Sequence, residues 1–182
     1  MASVPVFAMA LETCGPWGDA FAIGVSVRDA DSNREVDSFF AWHPLEATTG
    51  FDARRWKDIP RLRTKVVPLL MGTPVCKTPP ELRARFWAFY QKWSARRVLV
   101  VAASSAAADR LLYTCATEAG REWRPYEFSE FGTPIIDPGS FVKPDRLADE
   151  RPEGHPLCDA RQTGRLWIVQ KAAVATASMV RA

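Results

Sequence analysis

Three apolar runs crowd the start of the chain, and the links between them are too short for a helical crossover. Val4 to Leu11 stops at Glu12-Thr13-Cys14-Gly15-Pro16, Phe21 to Val27 follows, and polar residues Arg28 to Arg34 lead into Glu35 to Trp42. Parallel neighbours need a connection of about a dozen residues or more, whereas antiparallel neighbours close through short turns. The runs therefore predict an antiparallel meander of three strands.

Phe51 to Met71 is basic and reads as helical or irregular. Thr78-Pro79-Pro80-Glu81 then opens a helix: Thr78 caps, Pro79 suits the first helical position, and Glu81 completes a capping box. Leu82, Phe86, Phe89 and Trp93 recur at helical spacing and predict a core-facing stripe. Val98 to Ala102 is a continuous apolar run, suited to a central strand buried on both faces. Ser105 to Glu118 reads as a second helix and Thr133 to Ile136 as a short strand. Lys143 to Gly154 is a charged loop, and Pro156 to about Lys171 forms the last helix, with a fraying tail. The order predicts one α/β domain over 1–182, with its core at about 5–170. Its expected sheet is mixed and five-stranded, a meander joined to parallel strands, with flanking helices and ligands beyond the strand ends.

Composition supports a single folded unit. The chain has 182 residues, 47% of them hydrophobic and 25% charged, which is ordinary globular usage. A formal net charge of +3 does not force nucleic-acid binding but permits a local basic patch. Cys14, Cys76, Cys115 and Cys158 show no C-x-x-C spacing, and only His43 and His155 could join them, so a structural zinc site is not expected. Met1 to Ala10 lacks the basic start of a secretory signal, which argues against a disulfide framework. No run approaches the roughly 18 apolar residues of a membrane span. A reducing, cytoplasmic setting is the expectation.

Three acidic residues stand at element ends. Glu12 closes the first strand, Asp109 lies early in the helix after Val98 to Ala102, and Asp159 lies early in the last helix. Clustered carboxylates repel one another unless a cation neutralises them. Hard oxygen donors suit Mg²⁺ or Mn²⁺, and a two-metal site can activate water against a phosphodiester. Taken one at a time, each acid also reads as a surface or helix-start charge.

These residues carry a resemblance. Ala10-Leu11-Glu12-Thr13-Cys14-Gly15 resembles the D-x-E-T-x-G opening of the DEDD superfamily of 3′–5′ exonucleases, and Ile23-Gly24 resembles the I-G pair on that family's next strand. Ser104 to Asp109 fits the spacing of H-N-x-x-x-D without its His-Asn, with Ala103 an alternative aspartate position. Ile136-Asp137 resembles an apolar-Asp pair, and Gly154-His155-Pro156-Leu157-Cys158-Asp159-Ala160-Arg161 aligns with H-N-P-L-x-D-A-R without a gap. The likeness spans roughly residues 5 to 170 and is closest to the DEDDh branch. It implies a ribonuclease-H-like fold and Glu12, Asp109 and Asp159 as ligands of two Mg²⁺ or Mn²⁺ ions. It also implies a 3′–5′ exonuclease acting on single-stranded or 3′-end DNA or RNA.

The departures matter as much. Ala10 stands where the family has its first metal-binding aspartate, on the same strand face as Glu12. Gly154 stands where the general-base histidine belongs. His155, four residues before Asp159, is either a replacement catalytic group on the same helix face or a solvated residue at the helix start. Ala10 is either an introduced change or a natural loss, and in both cases weak metal binding and slow or absent cutting are expected. The alternative function is a non-catalytic protein on the same fold, binding nucleic acid or another protein.

For a strand end, Arg54, Arg55, Lys57, Arg61, Arg63 and Lys65 form the densest basic stretch, with Trp56 among them. Such a stretch can contact phosphates and stack a base, or be a solvated helix face. Thr13 and Trp17, beside the Glu12 turn, complete the candidate contacts, the position where family members place the terminal nucleotide.

Overall fold

The computed structural model describes residues 4–14, 19–48, 59–70, 76–96, 98–102, 104–121 and 155–180, with helix side chains described up to 169. Three strands form the expected meander: β1 (Val6–Thr13), β2 (Ala20–Arg28) and β3 (Glu35–Trp42). β1 pairs antiparallel with β2, and β2 with β3. β4 (Leu99–Ala102) adds to the far side of β1 in parallel, so the described sheet runs β3-β2-β1-β4. β1 begins and ends two residues later than its apolar run, so Glu12 and Thr13 belong to the strand itself. The strand expected at Thr133 to Ile136 lies outside the described residues, as do Asp137 and the 143–154 loop.

The two faces of the sheet differ in residue size, and that difference sorts the helices. Side chains alternate along a strand. One face of β1 and β2 carries Phe7, Met9, Ile23, Val25 and Val27, all fully buried. Against it pack α1 (Pro79–Ser94) and α2 (Ser105–Glu118), through Leu82, Phe86, Trp93, Leu111 and Leu112. The other face carries Ala8, Ala10, Ala22, Gly24 and Ser26, side chains small enough for a helix to approach closely. The final helix, α3 (Pro156–Val180), lies across it, chiefly over β1 and β2. At its start a Cβ on Gly24 would come within 2.1 Å of the Pro156 carbonyl carbon. Two turns on, Gly164 also lies close to the sheet, since a Cβ there would meet Ala8 Cβ and Arg28 Cδ, each at a tight 3.0 Å.

Local chemistry sets the helix ends. Pro79 and Pro80 remove two of the N–H groups that a helix start leaves without partners. Of the remaining donors, Glu81 N–H donates to Thr78 Oγ1 at 3.4 Å. The Glu81 carboxylate accepts from Lys77 N–H at 2.7 Å, one residue earlier than the usual capping box. α2 ends in a Schellman arrangement: Gly120 takes a positive φ of 66°, Arg121 N–H donates to Ala116 O, and Gly120 N–H to Thr117 O.

The C-terminal helix is tied to the sheet by charge as well as by shape. Arg161 donates two hydrogen bonds to the Glu35 carboxylate, both at 2.8 Å. Ser26 Oγ donates to the same carboxylate at 2.7 Å, and the buried Arg28 guanidinium lies 3.8 Å away. Burial alone would raise Glu35, but these hydrogen bonds and charges outweigh it and hold its carboxyl below the usual range. Four residues of Pro156-Leu157-Cys158-Asp159-Ala160-Arg161 thus have assigned places: Pro156 sits on Gly24, Ala160 is fully buried, Arg161 grips Glu35, and Asp159 is left facing the end of β1.

Candidate functional site

The candidate site forms where β1 runs out beneath the first turn of α3. Glu12 and Ala10 share a face of β1, Ala10 stands opposite Gly24 in the register, and Gly24 touches Pro156. A bulge between Glu12 and Thr13 places Phe21 as an extra residue on β2, turning the strand end. Phe21 is fully buried in a second apolar cluster with Cys14, Leu45, Ile59, Leu62, Val66 and Leu70. This cluster anchors the helical segment 59–70, which passes from a short α-helical turn (Ile59–Arg61) through a π-helical stretch (Leu62–Val66) to a 3₁₀ turn (Val67–Leu70). Leu62, Val66 and Leu70 recur every fourth residue and turn inward, which delivers Arg61 to the Glu12 side of the sheet.

The charges there are coupled. Glu12 is largely buried, its side chain 14% exposed, and its pKa is pushed up to about 7. Burial is the main cause; the neighbouring Asp159 carboxylate adds to it, and the Arg61 guanidinium works against it. Arg61 Nη2 lies 3.9 Å from Glu12 Oε2. The structure therefore brings together two of the three predicted acids. Asp109 is exposed on the first turns of α2, where desolvation by its surroundings nudges its pKa upward.

The described residues do not fit a pair of divalent cations. Such ions need several oxygen donors each. Glu12 and Asp159 supply two carboxylates, position 10 supplies a methyl group, and among the described residues no group of three His, Cys, Asp or Glu side chains could hold a metal ion.

His155 has a defined place just before α3. Its Nδ1 accepts a hydrogen bond from Leu157 N–H at 3.3 Å, and its ring lies against Phe40 at 4.4 Å between centroids. Burial, with the nearby Arg161 charge, pushes its pKa below the ordinary value, against a backbone hydrogen bond. A nitrogen that accepts from an N–H carries no proton, so the neutral ring holds its proton on Nε2. In this arrangement His155 serves the helix start, with Nδ1 committed. Thr13 lines a cleft of about 20 Å³ with Asp19, Arg83 and Arg110. Trp17, Arg54, Arg55, Trp56 and Lys57 lie outside the described residues. Arg61 is the site residue that sequence reasoning did not single out. Its only signal was membership of a basic stretch, which does not distinguish one arginine from the next.

No protein-family model matches the chain, and no curated protein matches it in sequence. In three dimensions it is similar to a full-length 3′-exonuclease, with a TM-score of 0.55 and 10% identity over 95% of this chain and 84% of that one. It is also similar to the nuclease domain of 3′hExo, a DEDDh family member solved bound to rAMP, with a TM-score of 0.52 and 10% identity over 93% of this chain and 92% of that one. At this identity the likeness establishes the fold: a mixed sheet flanked by helices, of the kind these 3′-exonucleases have.

Proposed function

We propose that the chain is a 3′–5′ exonuclease-type protein whose site takes the 3′ end of a nucleic acid strand, with cutting weakened or lost because Ala10 occupies a ligand position. The observation that carries this reading is the coupled pair Glu12 and Asp159, meeting at the end of β1 beneath α3 on a fold shared with 3′-exonucleases. Exonucleases of the DEDDh type depend on divalent metal, and Mg²⁺ or Mn²⁺ supplies the charge that polarises the phosphodiester and activates water when bound. In this chain Glu12 and Asp159 would hold such an ion, and two carboxylates are too few for two.

What this chain's own residues do is more limited. Glu12, poised near neutrality, can exchange a proton with water at its Oε atoms. Gly24 lets α3 sit close enough to present Asp159. Arg161 fixes the orientation of that helix. His155 holds its Nδ1 on Leu157 N–H, so any proton it exchanges is the one on Nε2.

The experiment is repair of position 10. Ala10→Asp should release mononucleotides from the 3′ end of single-stranded DNA or RNA in Mn²⁺ or Mg²⁺, and should bind Mn²⁺ in calorimetry more tightly than the parent. A folded Ala10→Asp protein that neither binds the ion nor degrades either substrate would overturn the exonuclease reading. The second reading is a non-catalytic binder of nucleic acid or protein, in keeping with the methyl group that Ala10 places beside Glu12. It predicts strand binding by the parent with no cleavage after repair.

A further inference from the structure

We propose that Arg61 is the phosphate-holding residue of this site, gripping a backbone phosphate beside Glu12 without the help of a metal ion. This rests on the reading of the Glu12 site as a nucleic-acid site.

The geometry points to an arginine held in place but not used up. Its segment is docked by Leu62, Val66 and Leu70, all buried, so the base of the side chain is fixed. Its guanidinium lies 3.9 Å from Glu12 Oε2, an ion pair too long for a hydrogen bond, and the side chain is 55% exposed. The N–H donors facing outward are therefore available. Arg63, two residues on and similarly exposed at 50%, is different: it donates to Glu46 Oε1 at 3.0 Å and is committed away from the site. Lys65 is exposed four residues beyond Arg61 and extends the positive edge.

Electrostatics favours the same conclusion. A phosphodiester approaching Asp159 and an ionised Glu12 is repelled unless a cation stands between them. The described acids do not assemble a two-ion set, and Arg61 is the cation that the fold sets against Glu12. A guanidinium presents a planar fork that matches two phosphate oxygens, so one nitrogen can face Glu12 while another pair faces substrate.

Fluorescence anisotropy of 5′-labelled single-stranded DNA and RNA oligonucleotides, with EDTA present, tests this. The parent should bind. Arg61→Ala should bind about tenfold more weakly, with a salt dependence shallower by about one phosphate contact. Arg61→Lys should fall between them. Arg63→Ala, which removes the same charge two residues away, should stay within about twofold of the parent. Arg61→Gln, with circular dichroism and thermal melting of each variant, separates lost contact from lost fold. Binding by Arg61→Ala equal to the parent's, or an equal loss in Arg63→Ala, overturns the role of Arg61 and leaves the strand-binding site standing. Parent binding that appears only with Mn²⁺ also overturns it while supporting the metal-dependent site. A parent that binds neither oligonucleotide, with or without Mn²⁺, overturns the nucleic-acid reading itself.

Discussion

Glu12→Gln should make the protein more stable, and only above a definite pH. Glu12 is held by the fold at a pKa of about 7 against an ordinary value of 4.5, mainly by burial. Below pH 4.5 the carboxyl is protonated in both folded and unfolded chains and contributes nothing to the difference. As pH rises toward 7 the unfolded chain releases the proton while the folded one keeps it, so stability is lost progressively and the full penalty stands above pH 7. At about 1.4 kcal/mol per pH unit, that displacement costs the folded state about 3 kcal/mol. Glutamine keeps the shape without the charge. It gives up the ion pair with half-exposed Arg61, worth well under about 1 kcal/mol. The expected gain at pH 8.5 is about 2–3 kcal/mol, or about 5–10 °C in Tm for a domain of this size. Urea denaturation of parent and variant at pH 4 and pH 8.5, in EDTA, measures it, and the comparison cancels every other titrating group. A variant that gains nothing at pH 8.5, or gains equally at both pH values, would refute a buried, proton-retaining Glu12.

Other perturbations test the frame around the site. Gly24→Ala places a Cβ 2.1 Å from the Pro156 backbone, which cannot swing aside as a side chain can. It should cost about 3 kcal/mol in urea unfolding, and a loss below about 1 kcal/mol would mean that α3 is not seated there. Arg161→Lys keeps the charge but not the two-pronged grip on Glu35, and should cost about 1–2 kcal/mol. Because Glu35 is held below its usual range, the contribution of Arg161 should be present above about pH 4.5 and vanish as pH falls through the folded value. Equal losses at pH 3 and pH 7 would argue against that pairing. Ala10→Asp should tighten Mn²⁺ binding by about tenfold or more, read by calorimetry, since a third carboxylate joins two already in place.

Much of the fold was legible because local pattern carried it. The links between the first three apolar runs were too short for anything but antiparallel pairing. Thr78-Pro79-Pro80-Glu81 could hardly begin anything but a helix, and the stripe Leu82, Phe86, Phe89 and Trp93 named the face that α1 turns inward. For the site, Glu12 and Asp159 were legible as acids at element ends, because such positions bring side chains to one edge of a sheet. Asp109 was equally an acid at an element end, yet it is exposed on α2. Position relative to a strand end says where a residue is in the chain but not which way a helix rotates it.

The sequence by itself determined the meander and the helix starts, since each depends on residues within a few positions of one another. Tertiary structure alone decided three things. It seated α3 on the small-residue face, because Gly24 and Ala8 leave a groove only once β1 and β2 pair. It raised Glu12, because desolvation is a property of the packed surroundings and not of the residue. And among the described basic residues it set Arg61, and not Arg63, against the acid, because the docking of Leu62, Val66 and Leu70 orients that segment.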